Sequence, residues 1–328
     1  MKKIILSAVA LIGVLTLNAQ DDAPKLYVSG TVDVYGTTNT VDGTGTPGLL
    51  IANPEKANGF GLGMANTVFS YDGAKSGVVA DIAFGPRADD ANMAGAINQL
   101  YAYYSLTEKL TVTAGQFNTF LGYEVISPAA NFNYSVSYLF NAGPFSHTGV
   151  KLDYAASEDL SFLLAVTNAH AITSDDASES GATQYGAQIG YKGQSLSFIY
   201  GAYSETSATD VLFLDYTGGF DLSESLYLGI NAAYSDDEEA GYQGAALYIE
   251  NTFTKKLALG LRPEFFSYTS ADDSEDVLSL TLTASTQLDE NLKLITELRY
   301  DSSDDYIIEG IAAEKNATAL TIAAVYSF

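Results

Sequence analysis

Hydrophobic and polar residues alternate along most of this chain, in segments of about ten residues that are separated by turns. The clearest segment is 278–283, in which leucine alternates with serine or threonine. In segment 292–300, leucine and tyrosine share one face, while Lys293, Glu297 and Arg299 share the other. A period of two residues predicts β-strands with one apolar and one polar face.

The alternation predicts sixteen strands, but by itself it does not distinguish a water-soluble sandwich from a membrane barrel. In a sandwich the apolar face meets a core, whereas in an outer-membrane barrel it meets lipid and the polar face lines the lumen. The predicted strands lie near residues 25–36, 59–71, 77–85, 97–106, 109–119, 147–156, 159–168, 183–192, 195–203, 208–217, 224–235, 241–253, 256–267, 276–288, 291–301 and 317–328.

The connections between these strands distinguish the two architectures. Most connections after even-numbered strands are tight turns, such as the one at Gly193 and Gln194. Short turns at one rim and long loops at the other are typical of a barrel inserted from the periplasm. We therefore predict an all-β, transmembrane antiparallel β-barrel of about sixteen strands. Connections after odd-numbered strands are generally longer, as at 37–58, 86–96, 120–146, 169–182 and 302–316.

Two features of the strands qualify this prediction. Pro263 falls inside a strand, and a closed barrel has no edge to shelter a residue without an N–H, so we expect a bulge or an earlier strand end there. Tyrosines near strand ends would form interfacial girdles, although the strand propensity of tyrosine is an alternative explanation. The girdle positions are Tyr35, Tyr71, Tyr104, Tyr154, Tyr191, Tyr216, Tyr234 and Tyr300.

The connection 120–146 is unusual because it is long and apolar, with Glu124 as its one charge. Its aromatic residues would form a large exposed patch if the segment stood in water. A sixteen-stranded barrel has an interior too wide for side chains alone to fill. We therefore expect this third long loop to fold into the lumen. Docking on a neighbouring protomer and formation of an outer lid are the alternatives.

An infolded loop, together with the inward faces of the strands, predicts a set of pore-lining residues. Acidic and basic side chains that face each other would create a transverse field that slows apolar solutes. From the loop we expect Glu124, Asn131, Asn133, Tyr134 and Asn141 at the constriction. From the strands we expect Tyr101, Tyr103, Lys151, Asp153, Arg262, Glu264, Lys293, Glu297 and Arg299 to point inward.

The N-terminus has the pattern of a secretory signal peptide. Lys2 and Lys3 precede an apolar run over 4–17, which is too short for an ordinary membrane-spanning helix. We expect cleavage after Ala19, which divides the chain into a signal peptide, 1–19, and a barrel, 20–328. An uncleaved anchor is the alternative. The sequence contains no cysteine, so neither a lipoprotein anchor nor disulfides are expected.

The charge of the chain is strongly negative. There are 15 basic and 40 acidic residues, for a formal charge of −25, and loss of Lys2 and Lys3 makes it −27. Nucleic acid is therefore not expected as a partner. Acidic clusters at 175–179, 236–239, 272–276 and 304–305 fall in predicted outer loops. We expect them to form either a solvated, repulsive surface or sites that capture Mg²⁺ or Ca²⁺, which bridge to lipopolysaccharide or enrich cations at the mouth.

Little in the sequence supports catalysis. The two histidines are His147 and His170, and adjacent Ser146 and His147 would point to opposite faces of a strand. We therefore interpret His147 as a rim or loop-anchoring residue. Neither a phosphate-binding glycine loop nor a paired-histidine metal motif occurs, so we expect a protein that is not an enzyme and has no metal or cofactor.

The central part of the chain also resembles a known family. The stretches LGMANTVFSY, VADIAFGPRAD, INQLYAYYSLTEKLTVTAGQFNTFLGYEVISP, NFNYSVSYLF, GPFSHTGVKLDY and GAQIGYKGQSLSFIYG carry the resemblance across roughly 59–203. They resemble the Bacteroidetes outer-membrane porins of the β-barrel porin-2, OmpL-like family. The resemblance implies an outer-membrane barrel with a pore role and supplies no catalytic residues.

The function expected from these observations is passive diffusion of small hydrophilic solutes or ions through the outer membrane, with a preference for cations. The expected partners are outer-membrane lipid, lipopolysaccharide and the solutes, and a homotrimer is one expected assembly. The alternative is a non-conducting barrel that serves as a surface adhesin or envelope scaffold. A barrel hydrolase would need a polar triad at one rim, and the sequence shows none.

We predict that the mature chain begins at Gln20, because a signal peptide without cysteine is cut by signal peptidase I. Intact mass measurement or N-terminal sequencing of the protein from outer membranes checks this. Retention of Lys2 and Lys3 in the mature chain would refute the export of a processed protein.

Overall fold

A computed structural model of the protein describes residues 24–40, 58–92, 95–169, 182–203, 209–270, 274–303 and 315–328. Within these ranges the chain forms sixteen β-strands and two short helices. The predicted signal peptide, His170 and the acidic residues at 175–179, 272–273 and 304–305 lie outside the described residues.

The alternating pattern produces the strands because each second side chain turns to the same face. The sixteen strands are β1 Lys25–Asn39, β2 Gly59–Asp72, β3 Ser76–Phe84, β4 Ile97–Thr107, β5 Leu110–Asn118, β6 Ser146–Ala155, β7 Leu160–Asn168, β8 Thr183–Tyr191, β9 Gln194–Ala202, β10 Asp210–Asp221, β11 Leu226–Asp236, β12 Ala240–Thr252, β13 Leu257–Ser270, β14 Ser274–Gln287, β15 Leu292–Ser303 and β16 Asn316–Ser327. Helix α1, Pro86–Ala91, follows β3, and helix α2, Tyr138–Ala142, follows β5. Neither helix is long and apolar enough to cross a bilayer.

The strands close into a single antiparallel barrel. Each strand pairs with its neighbours in the chain, and β1 pairs with β16 from Thr31 opposite Ser327 to Asn39 opposite Ala319. This closure leaves no strand edge unpaired, which is the condition for a sheet to span a membrane. The sequence prediction of a sixteen-stranded all-β barrel is therefore confirmed.

The two rims of the barrel differ in the length of their connections. Residues 192–193 and 288–291 make turns at one rim, and the loop over 119–145 lies at the other. Two connections at the second rim are shorter than the general pattern: β11 and β12 are joined by 237–239, and β13 and β14 by 271–273. The rule of long outer loops thus holds for most, but not all, of the odd-numbered strands.

The two faces of the barrel are clearly separated. On β14, Leu278, Leu280 and Leu282 are 46–61% exposed, whereas the intervening Ser279, Thr281 and Thr283 are at most 4% exposed. The exposed leucines form the outer apolar face, which in a membrane is covered by lipid. The buried hydroxyl residues face inward, and their burial shows that other groups pack against the inner wall.

Pro263 does not cause the expected bulge or strand end. Strand β13 continues to Ser270, and Pro263 stays in register opposite Leu280 of β14. Its effect is confined to the side that faces β12. There, pairing stops after the pair Ala246 and Glu264 and resumes in the same register at the pair Ile249 and Leu261. The missing N–H therefore removes ladder hydrogen bonds locally without shifting the strand.

The expected tyrosine girdle also needs one correction. Tyr71, Tyr104 and Tyr154 are 43–46% exposed on the outer face, as interfacial residues would be. Tyr35 is 5% exposed and faces inward, where its ring packs 5.7 Å from that of Tyr134. Its position near the end of the predicted strand did not reveal which face it occupies.

The outer face generates a stability prediction. Leu282→Arg, near the middle of β14, should destabilise the folded barrel by roughly 2–4 kcal/mol because it places a charge in the centre of the hydrocarbon. The matched change Leu288→Arg, in the turn after β14, should cost only about 0–1 kcal/mol. Denaturant unfolding in lipid vesicles, followed by heat-modifiable gel mobility, measures both. Equal costs would contradict the assignment of the outer face.

Candidate functional site

The connection between β5 and β6, residues 119–145, is termed the long loop. Although it has no strand, its apolar side chains are deeply buried, with Tyr134 and Val136 at 0% exposure and Leu139 at 3%. Helix α2 lies within it, and the Oγ of Ser137 caps this helix by accepting a hydrogen bond from the N–H of Phe140. The position of the loop follows from the groups it contacts on the inner wall.

The first part of the long loop, residues 119–122, bonds to strands β8 to β10. The carbonyl oxygen of Phe120 accepts hydrogen bonds from Gln188 Nε2 at 2.6 Å and Ser197 Oγ at 3.1 Å. The N–H of Gly122 donates to the inward-facing Asp215 at 2.9 Å. The ring of Phe120 packs directly over Gly186 of β8, where a Cβ would collide with it. This part of the loop therefore lies against the inner wall.

Packing against this wall is close. A cavity of about 30 Å³ lies between the first part of the loop and the wall, where Gln188, Ser195 and Thr217 line it. A space of this size is about the volume of one water molecule in the liquid. The first part of the loop thus leaves little room between itself and strands β8 to β10.

His147 holds the base of the long loop. Its Nε2 lies 2.9 Å from Thr119 Oγ1, and its ring centroid lies 6.2 Å from that of Phe117 and 5.1 Å from that of Phe120. The side chain is 3% exposed. These contacts match the loop-anchoring role expected from the sequence.

An ion pair lies in the second part of the long loop, residues 124–139. Arg262 of β13, which is fully buried, donates from Nη1 to the carboxylate of Glu124 and, at 2.8 Å, to the carbonyl of Ser135. The other carboxylate oxygen of Glu124 accepts from both the N–H and the Oγ of Ser137. One strand arginine and one loop glutamate thus fix the start of α2 and the segment before it.

Charged side chains of β13 and β15 bond the loop backbone on either side of this pair. Glu297 accepts from the N–H of Tyr134 at 2.9 Å, and Glu264 accepts from the N–H of Leu139 at 2.9 Å. Arg299 donates to the carbonyl of Val136 at 2.6 Å. Backbone groups that are buried need such partners, and here the strand side chains provide them.

Further contacts join the long loop to β1, α1 and β14. The hydroxyl of Tyr134 donates to Asp33, and burial raises the pKa of this phenol well above its usual range, so that it stays a neutral donor. The guanidinium of Arg87 bonds the carbonyl of Tyr134 at 3.0 Å and lies 4.8 Å from its ring centroid. Asn133 donates to Thr283 at 2.6 Å. The long loop therefore bonds to inward-facing side chains on two sides of the barrel.

These contacts give most of the expected pore-lining charges a different environment from the one anticipated. Arg262, Glu264, Glu297 and Arg299 point inward, but each is at most 4% exposed, and Glu124 is 5% exposed. They bond to the long loop and to one another rather than facing each other across open water. The expectation of a transverse field from these five groups is corrected accordingly, because the loop backbone and Glu124 occupy the space between them.

The other expected residues lie in three different environments. Asn131 is buried and closes the loop on itself, bonding the N–H and the carbonyl of Val125. Asn141 lies exposed on α2, away from the ion pair. The partly exposed inward residues are Tyr101, Tyr103, Lys151, Asp153 and Lys293.

Residues not expected from the sequence contribute to the site. Asp33 and Asp215 receive loop donors, and Asp301 receives Arg299 at 2.9 Å. Their inward direction could have been read from the alternation of their strands. Arg87 had no such signal, because it lies in the connection between β3 and β4. Within the described ranges, no group of three or more histidine, aspartate or glutamate side chains is arranged to hold a metal ion.

A closed antiparallel barrel of sixteen strands with an apolar exterior has the architecture of outer-membrane porins. The chain belongs to the family described as putative beta-barrel porin-2, OmpL-like, whose model matches residues 25–328. The resemblance inferred from 59–203 is thus confirmed, and the match extends it to nearly the whole chain. The family locates the protein in the outer membrane, whereas the Bacteroidetes grouping stays a prediction.

Solved structures show the same fold at low sequence identity. The outer membrane channel DcaP of Acinetobacter baumannii is 12% identical, with a TM-score of 0.63 over 94% of this chain and 99% of that one. An anion-selective porin from Comamonas acidovorans is 11% identical, with a TM-score of 0.62 over 93% and 100%. The trimer form of OmpT from Vibrio cholerae is 13% identical, with a TM-score of 0.60 over 94% and 100%. Among curated proteins, none matches this chain.

The central ion pair generates a prediction for the loop. Glu124→Gln leaves the Arg262 guanidinium buried without a charged partner, which typically costs about 3–5 kcal/mol. Because the long loop is covalently joined to strands only at its ends and is held elsewhere by noncovalent contacts, we expect this cost to appear as local release of the loop. Its cleavage by chymotrypsin, which cuts after aromatic residues, should become faster while the heat-modifiable mobility of the barrel is retained.

The matched control for this prediction is Glu108→Gln, which removes the same charge from an exposed turn after β4. It should leave chymotrypsin cleavage unchanged. Unchanged cleavage in Glu124→Gln as well would mean that the ion pair does not hold the loop.

Proposed function

We propose that the protein is a channel for passive diffusion of small hydrophilic solutes across the outer membrane. The observation that carries the proposal is the set of bonds between the long loop and inward-facing side chains on two sides of the barrel. A loop held in this way would lie across the lumen and narrow it. Membership of the porin family and the fold shared with solved outer-membrane channels support the same class of function.

The remaining passage, in this proposal, runs along strands β4 to β6. Some inward side chains on this wall are partly exposed, and Lys151 and Asp153 form an ion pair at 2.8 Å with 16% and 15% exposure. Tyr101 and Tyr103 on β4 are also partly exposed. In contrast, Arg262 and Thr281 on the opposite wall are fully buried. A polar, water-exposed wall suits hydrophilic solutes, and the covered wall would define the width of the passage.

One observation favours the second candidate, a non-conducting barrel that acts as an adhesin or scaffold. Both parts of the long loop are bonded to the wall, and Arg262 of β13, which contacts the loop, is fully buried. A loop that filled the whole lumen would stop conduction. Planar-bilayer recording on the purified protein separates the two candidates, because only the channel gives discrete conductance steps.

We further propose that the mature chain, from Gln20, is not an enzyme and assembles as a homotrimer among outer-membrane lipid and lipopolysaccharide. One structure with this fold, OmpT, is described in a trimer form, which supports the trimer as a proposal. Sedimentation of the detergent-solubilised protein would measure its oligomeric state.

We predict that the long loop sets the size of the passage. Replacing residues 125–144 with a short Gly/Ser linker keeps Glu124, and strand pairing and the lipid-facing residues should keep the barrel intact. Single-channel conductance should rise, and larger sugars should enter proteoliposomes in swelling assays. Replacing residues 237–239 with Gly/Ser is the control and should change neither. A folded deletion variant that conducts like wild type would place the loop outside the conducting path.

We also predict a preference for cations. Buried inward charges form ion pairs, such as Arg262 with Glu124 and Arg299 with Asp301. The net charge of −27 and the acidic outer segments are not compensated in this way, and they should concentrate cations within about 8–10 Å of the mouth. The likeness to an anion-selective porin is at 11% identity and concerns the fold, so the sign is derived from the charges of this chain. Reversal potentials in a KCl gradient measure the preference, which should weaken as salt increases. A preference for anions would contradict the prediction.

A further inference from the structure

A second cavity, of about 200 Å³, lies between the long loop and the wall at the short-turn end of the barrel. Its wall side includes Glu250 near the end of β12, Ser285 near the end of β14 and Lys293 at the start of β15. Its loop side includes Tyr123 and Phe132. The space holds several water molecules and therefore also a compact solute.

Glu250 is a carboxylate without a bonded partner. It faces inward opposite Gly260, and within the described part of the chain it makes neither a hydrogen bond nor an ion pair within 4 Å. It differs in this respect from Glu124, Glu264 and Glu297, which all bond the long loop. A partly buried carboxylate of this kind is stabilised by a cation or by hydrogen-bond donors that enter the cavity.

Lys293 provides the opposite charge. Its Nζ donates to the carbonyls of Ala129 and Asn131 at 3.2 and 3.3 Å. An ammonium group has three protons, so two neutral carbonyls fix its position and leave one proton for a further acceptor. Lys293 and Glu250 line the same cavity but lie more than 4 Å apart, so they do not neutralise each other by direct contact.

Aromatic rings form another part of the cavity lining, beside residues 130, 131 and 133 of the loop and Glu124, which is paired with Arg262. Tyr123 stacks on Tyr248 with ring centroids 4.1 Å apart, and the ring of Phe132 packs over Gly260, where a Cβ would collide with it. Ring faces exclude water and attract ammonium groups. The Ser285 hydroxyl has no hydrogen-bond partner among the described residues and is available to a solute.

We propose that this cavity binds small zwitterions of the α-amino-acid class. The ammonium group would pair with Glu250 beside the aromatic rings, and the carboxylate would pair with the remaining proton of Lys293. A solute with one charge would satisfy one of these groups and be repelled by the other, and an uncharged sugar would leave both charges uncompensated. As a solute site within the channel this inference rests on the proposed function, whereas binding itself does not require conduction.

Isothermal titration calorimetry on the folded, detergent-solubilised mature protein at low ionic strength tests the site. L-alanine should bind saturably, and ethylamine, propionate and glucose should each bind at least about tenfold more weakly, because each lacks one charge-assisted hydrogen bond or both. Equal or tighter binding of any of the three would overturn the proposal. So would the absence of saturable L-alanine binding.

Variants assign the binding to the cavity. Glu250→Gln and Lys293→Met should each weaken L-alanine binding at least about tenfold, and Lys293→Arg should retain most of it. The matched controls Glu290→Gln and Lys255→Met remove the same charges from exposed turns at the same rim and should have no effect. Because Glu250 makes no bond to the loop, its variant is informative even if Lys293→Met folds poorly. Binding that survives Glu250→Gln would overturn the proposal.

Bilayer recording of the same preparations separates the two proposals. Wild-type protein that conducts but does not bind L-alanine would refute the zwitterion site alone. Protein that binds L-alanine as predicted but gives no conductance would refute the channel and leave the binding site in place.

Discussion

Hydrogen bonding between two sets of buried polar groups, the charged side chains of the inner wall and the backbone of the long loop, determines the interior of this barrel. The inner wall carries Arg262, Glu264, Glu297 and Arg299, which are almost completely buried and would be strongly unfavourable without partners. The long loop has no sheet neighbour for its backbone N–H and carbonyl groups, which also require partners. The two sets bond each other, through contacts such as Glu297 with Tyr134 and Arg299 with Val136. Removal of the wall charges would leave backbone groups of the loop buried and unpaired, so the loop position is coupled to the strand sequence.

This coupling explains why the long loop carries a single charge. Its backbone already supplies donors and acceptors to five strands, and Glu124 is needed only where Arg262 requires a full negative charge. A loop with many charges would bring further groups that the wall could not neutralise. Its apolar side chains pack instead on small wall residues, as Phe120 does on Gly186 and Phe132 on Gly260. The composition that made the segment unusual in the sequence is therefore what its contacts require.

The sequence predicts best those features of the fold that the membrane constrains most strongly. Lipid requires an apolar outer face, so alternation located the sixteen strands, and the pattern of short and long connections indicated that they form a barrel. The faces of isolated residues were less certain: Tyr35 faces inward, and Pro263 is accommodated without a bulge. The partners of the inward charges could not be predicted, because they depend on the path of the long loop. Sequence alternation shows that Arg262 points inward, but only the fold shows that Glu124 and Ser135 meet it there.

The same pairing limits which residues can influence a solute. Charges that are buried against the long loop are shielded from a water-filled passage and do not contact a solute there. Among the described residues, the groups that remain available include the partly exposed pair Lys151 and Asp153 on one wall and the separated charges Glu250 and Lys293 at the short-turn end. Selectivity in this barrel should therefore depend on these few residues and on the acidic outer segments. The net charge of the inner wall, counted from the sequence alone, would be a misleading guide to it.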